Sequence, residues 1–255
     1  MDKNISSRDG TSLAYESAGR GATIVLVSGA MSTGATVAPL AARLAERFRV
    51  VVYDRRGRGG SGDTPPYAVE REVEDLAALI EAMGGEAALY GVSSGGALAL
   101  RAAASGLPVR QVAVYETPYA MSEEDLGERA RYTERLTAAL GEGRRGDAVE
   151  LFLRLTGLGE DVIRGARQSP MWAGMESIAP SLAYDDAVMG DGSAPRELLS
   201  SIPVRYVPRG TDSAIARAAA RIHAGLASPA IDSTGTGIDD SSSRGALPSP
   251  ITASS

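Results

Sequence analysis

The sequence contains no cysteine and a single histidine, and these absences exclude several kinds of site. Without cysteine there is neither a disulfide framework nor a thiolate metal site, and one imidazole cannot build a histidine-rich metal centre. No apolar run reaches the length of about 18 residues that a membrane span needs, and residues 1–5 lack the apolar stretch of a signal peptide. The sequence implies no metal, no organic cofactor, no membrane partner and a cytoplasmic location.

Basic residues are fewer than acidic residues in this sequence. The chain has 26 lysines and arginines against 32 aspartates and glutamates, a net charge of -6, and no run of basic residues. Such a balance gives no electrostatic attraction to phosphate backbones. We therefore expect a small-molecule substrate and no nucleic acid, and we leave the oligomeric state open.

What the chain does contain is an alternation of short apolar runs with helical patterns. Its 255 residues, 44% of them hydrophobic, can bury one sizeable core. Helices are predicted at 37–48 and 69–83, and strands are predicted at 12–16, Thr23–Val27, Arg49–Tyr53, 87–90, 111–115 and Val204–Val207. This order is typical of an α/β domain with a mostly parallel sheet covered on both faces.

A long stretch, 118–199, carries helical patterns at 123–140 and 147–155 and shows no strand signal. We interpret it as a helical cap inserted between two strands of the sheet. The predicted division is a core of 1–117 and 200–226, a cap of 118–199 and a divergent tail of 227–255.

The most informative segment is Gly91-Val92-Ser93-Ser94-Gly95, which follows a predicted strand and begins an Ala/Leu-rich helical run. In a nucleophile elbow a serine lies on a strained strand-to-helix turn, and small residues two positions before and after it let the backbone turn tightly. Ser93 is therefore the candidate nucleophile.

Two further segments accompany the elbow in a recognisable order and spacing. They are 25–30, Val-Leu-Val-Ser-Gly-Ala, and 53–62, Tyr-Asp-Arg-Arg-Gly-Arg-Gly-Gly-Ser-Gly. Together the three motifs resemble the α/β-hydrolase superfamily, and most of all its small capped members, over about residues 9–226. The resemblance implies the α/β-hydrolase fold with a helical cap, and a serine-dependent hydrolase acting on a small ester-like or lactone-like substrate.

The resemblance also implies how Ser93 would act. A developing oxyanion needs two preorganised donors, which would be the N–H of Ser94, directly after the nucleophile, and the N–H of Ala30 in the loop after the first buried strand. Ser28 stands where the family usually has histidine. Neighbouring and cap residues are candidates for substrate binding, the cap ones alternatively forming the core of the cap: Gly29, Met31, Met171, Trp172 and Met175.

Two carboxylates are candidates for the catalytic acid. Asp212 follows the predicted strand Val204–Val207, and Glu116 follows the strand at 111–115. The family's catalytic histidine should come about 25 to 30 residues after the acid, but that window holds Asp239 and no histidine. The single histidine, His223, falls in a helical run and is more typical of a structural residue.

The tail 227–255 contains eight serines and no convincing strand or helix. We interpret it either as a native tail or, preferably, as the product of a frameshift that removed the histidine loop. The alternative function is a catalytically inactive protein of the same fold that binds a small hydrophobic ligand.

Three other features have less specific interpretations. The segment 28–36 is one residue from a phosphate-binding loop, but Ala35 replaces the required lysine. Arg55, Arg56 and Arg58 are interpreted as a packed turn rather than an anion site. Residues 184–186, Tyr-Asp-Asp, are interpreted as a helix start or a solvated loop.

Overall fold

The computed structural model describes residues 1–194 and 204–207, and these form a seven-stranded sheet with helices around it. Six strands confirm the sequence prediction, three of them longer than predicted. The strands are β1 Lys3–Ser6, β2 Ser12–Ala18, β3 Thr23–Val27, β4 Arg49–Tyr53, β5 Ala87–Val92, β6 Val109–Tyr115 and β7 Val204–Val207.

The strand order is β1-β2-β4-β3-β5-β6-β7. β1 pairs with β2 and β2 with β4 in antiparallel fashion, whereas the strands from β4 to β7 are parallel. The carboxyl ends of the parallel strands therefore lie at one edge of the sheet, where ligand sites of open α/β sheets are found.

Eight α-helices and one short 3₁₀ helix are present in the described part of the chain. They are α1 Gly34–Leu44, α2 Val69–Ala82, α3 Ser94–Ala104, α4 Glu123–Gly141, α5 Arg145–Leu155, α6 Glu160–Arg167, α7 Trp172–Ile178, the 3₁₀ turn Ala179–Ser181, and α8 Leu182–Met189. None of the helices described is long and apolar enough to cross a membrane.

The core lies on both faces of the sheet because every residue of β3 is buried. Side chains alternate across a strand, so Val25 and Val27 pack with α2 and α3 on one face, and Ile24 and Leu26 pack with α1 on the other. This two-sided burial explains why the run Thr23–Val27 is continuously apolar rather than alternating.

The helices α4 to α7 lie in the stretch predicted as a cap and contribute to two apolar clusters outside the main core. One cluster contains Tyr132, Leu136 and Leu182, and another contains Val149 and Trp172. α8 contributes to both regions, because its first residue, Leu182, belongs to the first of these clusters, whereas Val188 and Met189 belong to the main core beside α3. The last helix described in the predicted cap segment 118–199 thus packs on the sheet domain.

The sequence did not predict β1, whose residues Lys-Asn-Ile-Ser are mostly exposed. An edge strand buries too little apolar surface to give a clear pattern. The helical run that contains His223 and the tail 227–255 lie outside the described residues.

Candidate active site

Ser93 lies on a strained turn between β5 and α3, as the elbow motif predicts. Its backbone has φ 53° and ψ -126°, a conformation that non-glycine residues rarely adopt. Such strain is stored where the surrounding structure over-determines it, and functional sites are frequent examples. The turn presents Ser93 at the carboxyl edge of the sheet.

The flanking glycines explain how so tight a turn can form. A Cβ on Gly91 would lie 2.4 Å from the carbonyl oxygen of Gly95, and a Cβ on Gly95 would lie 2.3 Å from the carbonyl oxygen of Val27. Real Cβ atoms do not approach backbone atoms this closely, so both positions need glycine.

The loop after β3 runs beside this serine. β3 and β5 are paired in parallel with Val27 opposite Gly91, so the two strands end at the same level. A Cβ on Gly29 would lie 3.1 Å from the Ser93 Cβ and 3.7 Å from its Oγ. The structure therefore brings together the loop predicted to carry the Ala30 donor and the predicted nucleophile.

The second predicted donor, the N–H of Ser94, is at the first position of α3. The first N–H groups of a helix have no partner within it and carry partial positive charge. This position suits an oxyanion that develops next to Ser93.

Glu116 is the predicted acid that the structure places next to the elbow. β5 and β6 pair with Val92 opposite Tyr115, and the Ser93 N–H donates to the Tyr115 carbonyl at 2.9 Å. Glu116 is half-buried and also has a positive φ, 51°. Two strained residues, Ser93 and Glu116, thus occupy the ends of adjacent parallel strands.

The other members of a possible triad lie outside the described residues. This applies to the predicted acid Asp212, to His223 and to Asp239. Of the candidate acids, only Glu116 is in the part of the chain that the structure describes.

The predicted substrate-binding residues other than Gly29 are not equivalent. Met31 is half-buried and packs against both apolar clusters of the cap segment, so it joins the loop after β3 to that segment. Trp172 is buried in the second cluster and Met175 packs against it, as in the cap-core interpretation. Met171 is 74% exposed and is not part of the cap core.

The phosphate-loop alternative is not supported by the geometry of α1. The Gly34 N–H at the start of this helix donates to Asp54 Oδ1 at 2.7 Å. A carboxylate already occupies the helix N-terminus at which a phosphate would bind.

A buried network of arginines and carboxylates lies directly behind the elbow. Arg55 donates through Nε and Nη2 to the two carboxylate oxygens of Glu72, each at 2.7 Å, and through Nη1 to Asp185 Oδ1 at 2.7 Å. Arg58 Nη2 donates to Asp185 Oδ2 at 2.8 Å. The packed-turn interpretation of these arginines agrees with this arrangement.

Of the two interpretations of 184–186, the helix start agrees with the structure and the solvated loop is wrong for Asp185. This residue lies in the first turn of α8 and is 5% exposed. It also accepts a hydrogen bond from Ser94 Oγ at 2.7 Å, so a helix at the end of the cap segment contacts the elbow directly. Sequence reasoning missed it because its partners are about 90 to 130 residues away.

The charge state of Asp185 follows from its neighbours. Burial alone would raise the pKa of this carboxyl, but the positive charges of Arg58 and Arg55 outweigh burial and hold the pKa below its ordinary value. Asp185 is therefore ionised at neutral pH and can serve as a fixed acceptor for Ser94 and both arginines.

Arg56 forms a separate set of buried contacts. It donates through Nε and Nη2 to Asp75, at 2.8 and 2.7 Å, and through Nη1 to Asp9 at 2.9 Å. These contacts tie the loop after β4 to α2 and to the turn after β1.

Comparison with known proteins agrees with the fold. The family model described as "Alpha/beta hydrolase family" matches residues 24–243, and the chain belongs to this family. An alpha/beta hydrolase structure from Sphaerobacter thermophilus is 48% identical, with 88% of each chain covered and a TM-score of 0.73. The family places the chain among hydrolase enzymes.

Curated relatives match over shorter stretches. N-formylmaleamate deformylase from Pseudomonas putida is 37% identical over 39% of this chain and 38% of its own length. The putative carbamate hydrolase RutD from a Caulobacter species is 39% identical over 29% of each. The matched stretches thus cover well under half of these relatives.

Proposed function

We propose that the chain is a serine hydrolase that cleaves a small ester-like or lactone-like substrate. The observation that carries this proposal is the strained Ser93 on its strand-to-helix turn, with the Gly29 loop and the start of α3 beside it. Two relatives are named as a deformylase and a putative carbamate hydrolase, and both names describe cleavage at an acyl carbon. We include a cytoplasmic location and a small-molecule partner in the same proposal.

The proposed reaction has two acyl-transfer steps. Ser93 Oγ attacks the substrate carbonyl carbon while a base takes the hydroxyl proton, and the negative charge on the carbonyl oxygen is held by the N–H groups of Ala30 and Ser94. The tetrahedral intermediate collapses and the leaving group departs with a proton. Water then attacks the acyl-serine in the same way and releases the acid.

Glu116 and Asp212 are both proposed for the acid that orients the base. The place of Glu116 at the end of β6, next to Ser93, favours it on geometry. The variants Glu116→Gln and Asp212→Asn separate the two candidates. The enzyme should lose most of its activity when the essential acid is replaced and should keep its activity when the other one is.

The chain has no histidine at the position where the family's catalytic base is expected. The chain has one histidine, His223, which falls before the expected position. General-base assistance contributes about 10² to 10⁴ in rate, so without it we propose slow hydrolysis supported by the oxyanion hole and substrate binding.

The absence of a histidine at the expected position favours a second candidate function, a hydrolase-fold protein that binds a small hydrophobic ligand without cleaving it. Without its usual base, Ser93 would line a ligand-binding pocket and would not attack the ligand. Ligand-induced thermal stabilisation in the absence of any turnover would favour this second function.

The proposed function is tested by hydrolysis of p-nitrophenyl acetate and of a small lactone. Wild type should turn over at least one of them, Ser93→Ala should not, and Ser105→Ala, an exposed serine just after α3, should match wild type. Equal rates for wild type and Ser93→Ala would overturn the proposal.

A further inference from the structure

The two backbone donors predicted for the oxyanion hole are tied to one buried carboxylate. Ser94 Oγ donates to Asp185 Oδ1 at 2.7 Å, which anchors the start of α3. Arg58 donates through Nη2 to Asp185 Oδ2 and through Nη1 to the Gly29 carbonyl oxygen, both at 2.8 Å. The Gly29 carbonyl, Arg58, Asp185 and Ser94 thus form one continuous chain of hydrogen bonds.

The contact with Gly29 determines where the Ala30 N–H points. The Gly29 carbonyl and the Ala30 N–H belong to one peptide group, and in a planar trans peptide these two bonds point in opposite directions. Because the guanidinium of Arg58 is buried, the carbonyl is turned towards the interior and the N–H away from it. The same peptide borders Ser93, as the position of Gly29 shows.

Stability alone does not account for this arginine. Arg58 is 2% exposed, and its Nε has no hydrogen-bond partner among the described residues. A buried ion pair rarely stabilises a fold more than apolar side chains of similar volume would. What an apolar side chain could not supply is the hydrogen bond to the Gly29 carbonyl.

We propose that Arg58 is a positioning residue of the oxyanion hole. Through the Gly29 carbonyl it sets the direction of the Ala30 N–H, and through Asp185 it fixes that donor relative to the N–H of Ser94. A charged donor on the carbonyl also polarises the peptide and strengthens its N–H as a donor. This inference rests on the proposed function, because it assumes that Ser93 is the nucleophile.

Arg56 provides a matched control. It lies two residues from Arg58 and is equally buried, and its partners Asp75 and Asp9 are also carboxylates. None of its hydrogen bonds reaches the loop after β3 or the start of α3 among the described residues. Arg56→Met therefore removes a buried charge from the same loop without touching either predicted donor.

The kinetic test compares Arg58→Met, Arg58→Lys and Arg56→Met with p-nitrophenyl acetate, at a temperature where circular dichroism shows each variant folded. Arg58→Met should lower kcat roughly 10² to 10³-fold, the usual loss for one oxyanion donor, with KM changed less than about threefold. Arg58→Lys, which keeps a charge but can serve fewer partners, should fall between Arg58→Met and wild type. Arg56→Met should keep the wild-type kcat, and an equal loss in both methionine variants would overturn the proposal.

A second readout does not depend on turnover. The hydrogen bond to the Gly29 carbonyl should alter the ¹⁵N chemical shift of the Ala30 amide, so Arg58→Met should move that resonance and Arg56→Met should not. An unmoved Ala30 resonance in Arg58→Met would contradict the positioning role. If wild type and Ser93→Ala show equal activity, the proposed function fails, and the Ala30 resonance still decides whether Arg58 orients this peptide.

Discussion

Gly95 lies against the carbonyl oxygen of Val27, so close that a Cβ on the glycine would stand 2.3 Å from that oxygen. The end of β3 and the start of α3 are therefore in direct backbone contact. This contact sets the distance between the nucleophile turn and the loop of Gly29, and it leaves no room for any side chain at position 95.

Gly95→Ala should consequently destabilise the protein by about 1 to 3 kcal/mol or more, because one of the two backbones must move. Gly165→Ala is the matched control, since it lies inside α6 with no atom within 4 Å of the added methyl group. There alanine should stabilise the helix by up to about 1 kcal/mol. Urea unfolding of both variants measures these effects, and a neutral Gly95→Ala would contradict the packing described.

The cap has a core of its own, and Trp172 is central to it. Its side chain packs with Val149, Leu153 and Ile163, so Trp172→Ala should cost about 3 to 5 kcal/mol. Met171→Ala, next to it but largely exposed, should leave the unfolding midpoint almost unchanged. Thermal unfolding checks the pair, and similar losses for both would show that the cap is packed differently.

The buried pair of Arg55 and Glu72 should matter far more than an ion pair at the surface. Glu72→Gln leaves the buried guanidinium without its full countercharge and should cost about 3 to 5 kcal/mol. Asp161→Asn breaks the exposed contact with Arg164 and should not shift unfolding measurably. Denaturant titrations of the two amide variants give the comparison, and a neutral Glu72→Gln would contradict the network.

The low pKa of Asp185 predicts a pH dependence of stability. The folded protein holds this carboxyl ionised to lower pH than the unfolded chain does, so the unfolded state binds more protons and stability falls as pH decreases below about 4. The difference in unfolding free energy between wild type and Asp185→Asn should therefore be largest near neutral pH and should shrink in acid. A difference that stays constant from pH 7 to pH 3 would rule out this role.

Local patterns were enough to predict the sheet and the elbow. The apolar run Thr23–Val27 and the spacing of Gly91, Ser93 and Gly95 are contiguous in the sequence, so steric and burial rules apply to them directly. The polar edge strand β1 gave no such pattern. Glu116 could be proposed because it directly follows a strand.

The buried network could not be predicted in the same way. Asp185 reads as a polar residue in a short helix, and only the packing of α8 on α3 brings it to Arg55, Arg58 and Ser94. The positive charges that make burial of a carboxylate tolerable come from a loop about 130 residues earlier in the chain. Contacts of that range leave no periodic signal in a single sequence.

The central claim, that Ser93 is the nucleophile, is tested most directly by covalent labelling. The protein is incubated with a fluorophosphonate, its intact mass is measured, and the modified peptide is identified after digestion. We predict one adduct on the peptide that contains Ser93, absent from Ser93→Ala and retained in Ser105→Ala. No adduct, or an adduct that persists in Ser93→Ala, would contradict the account.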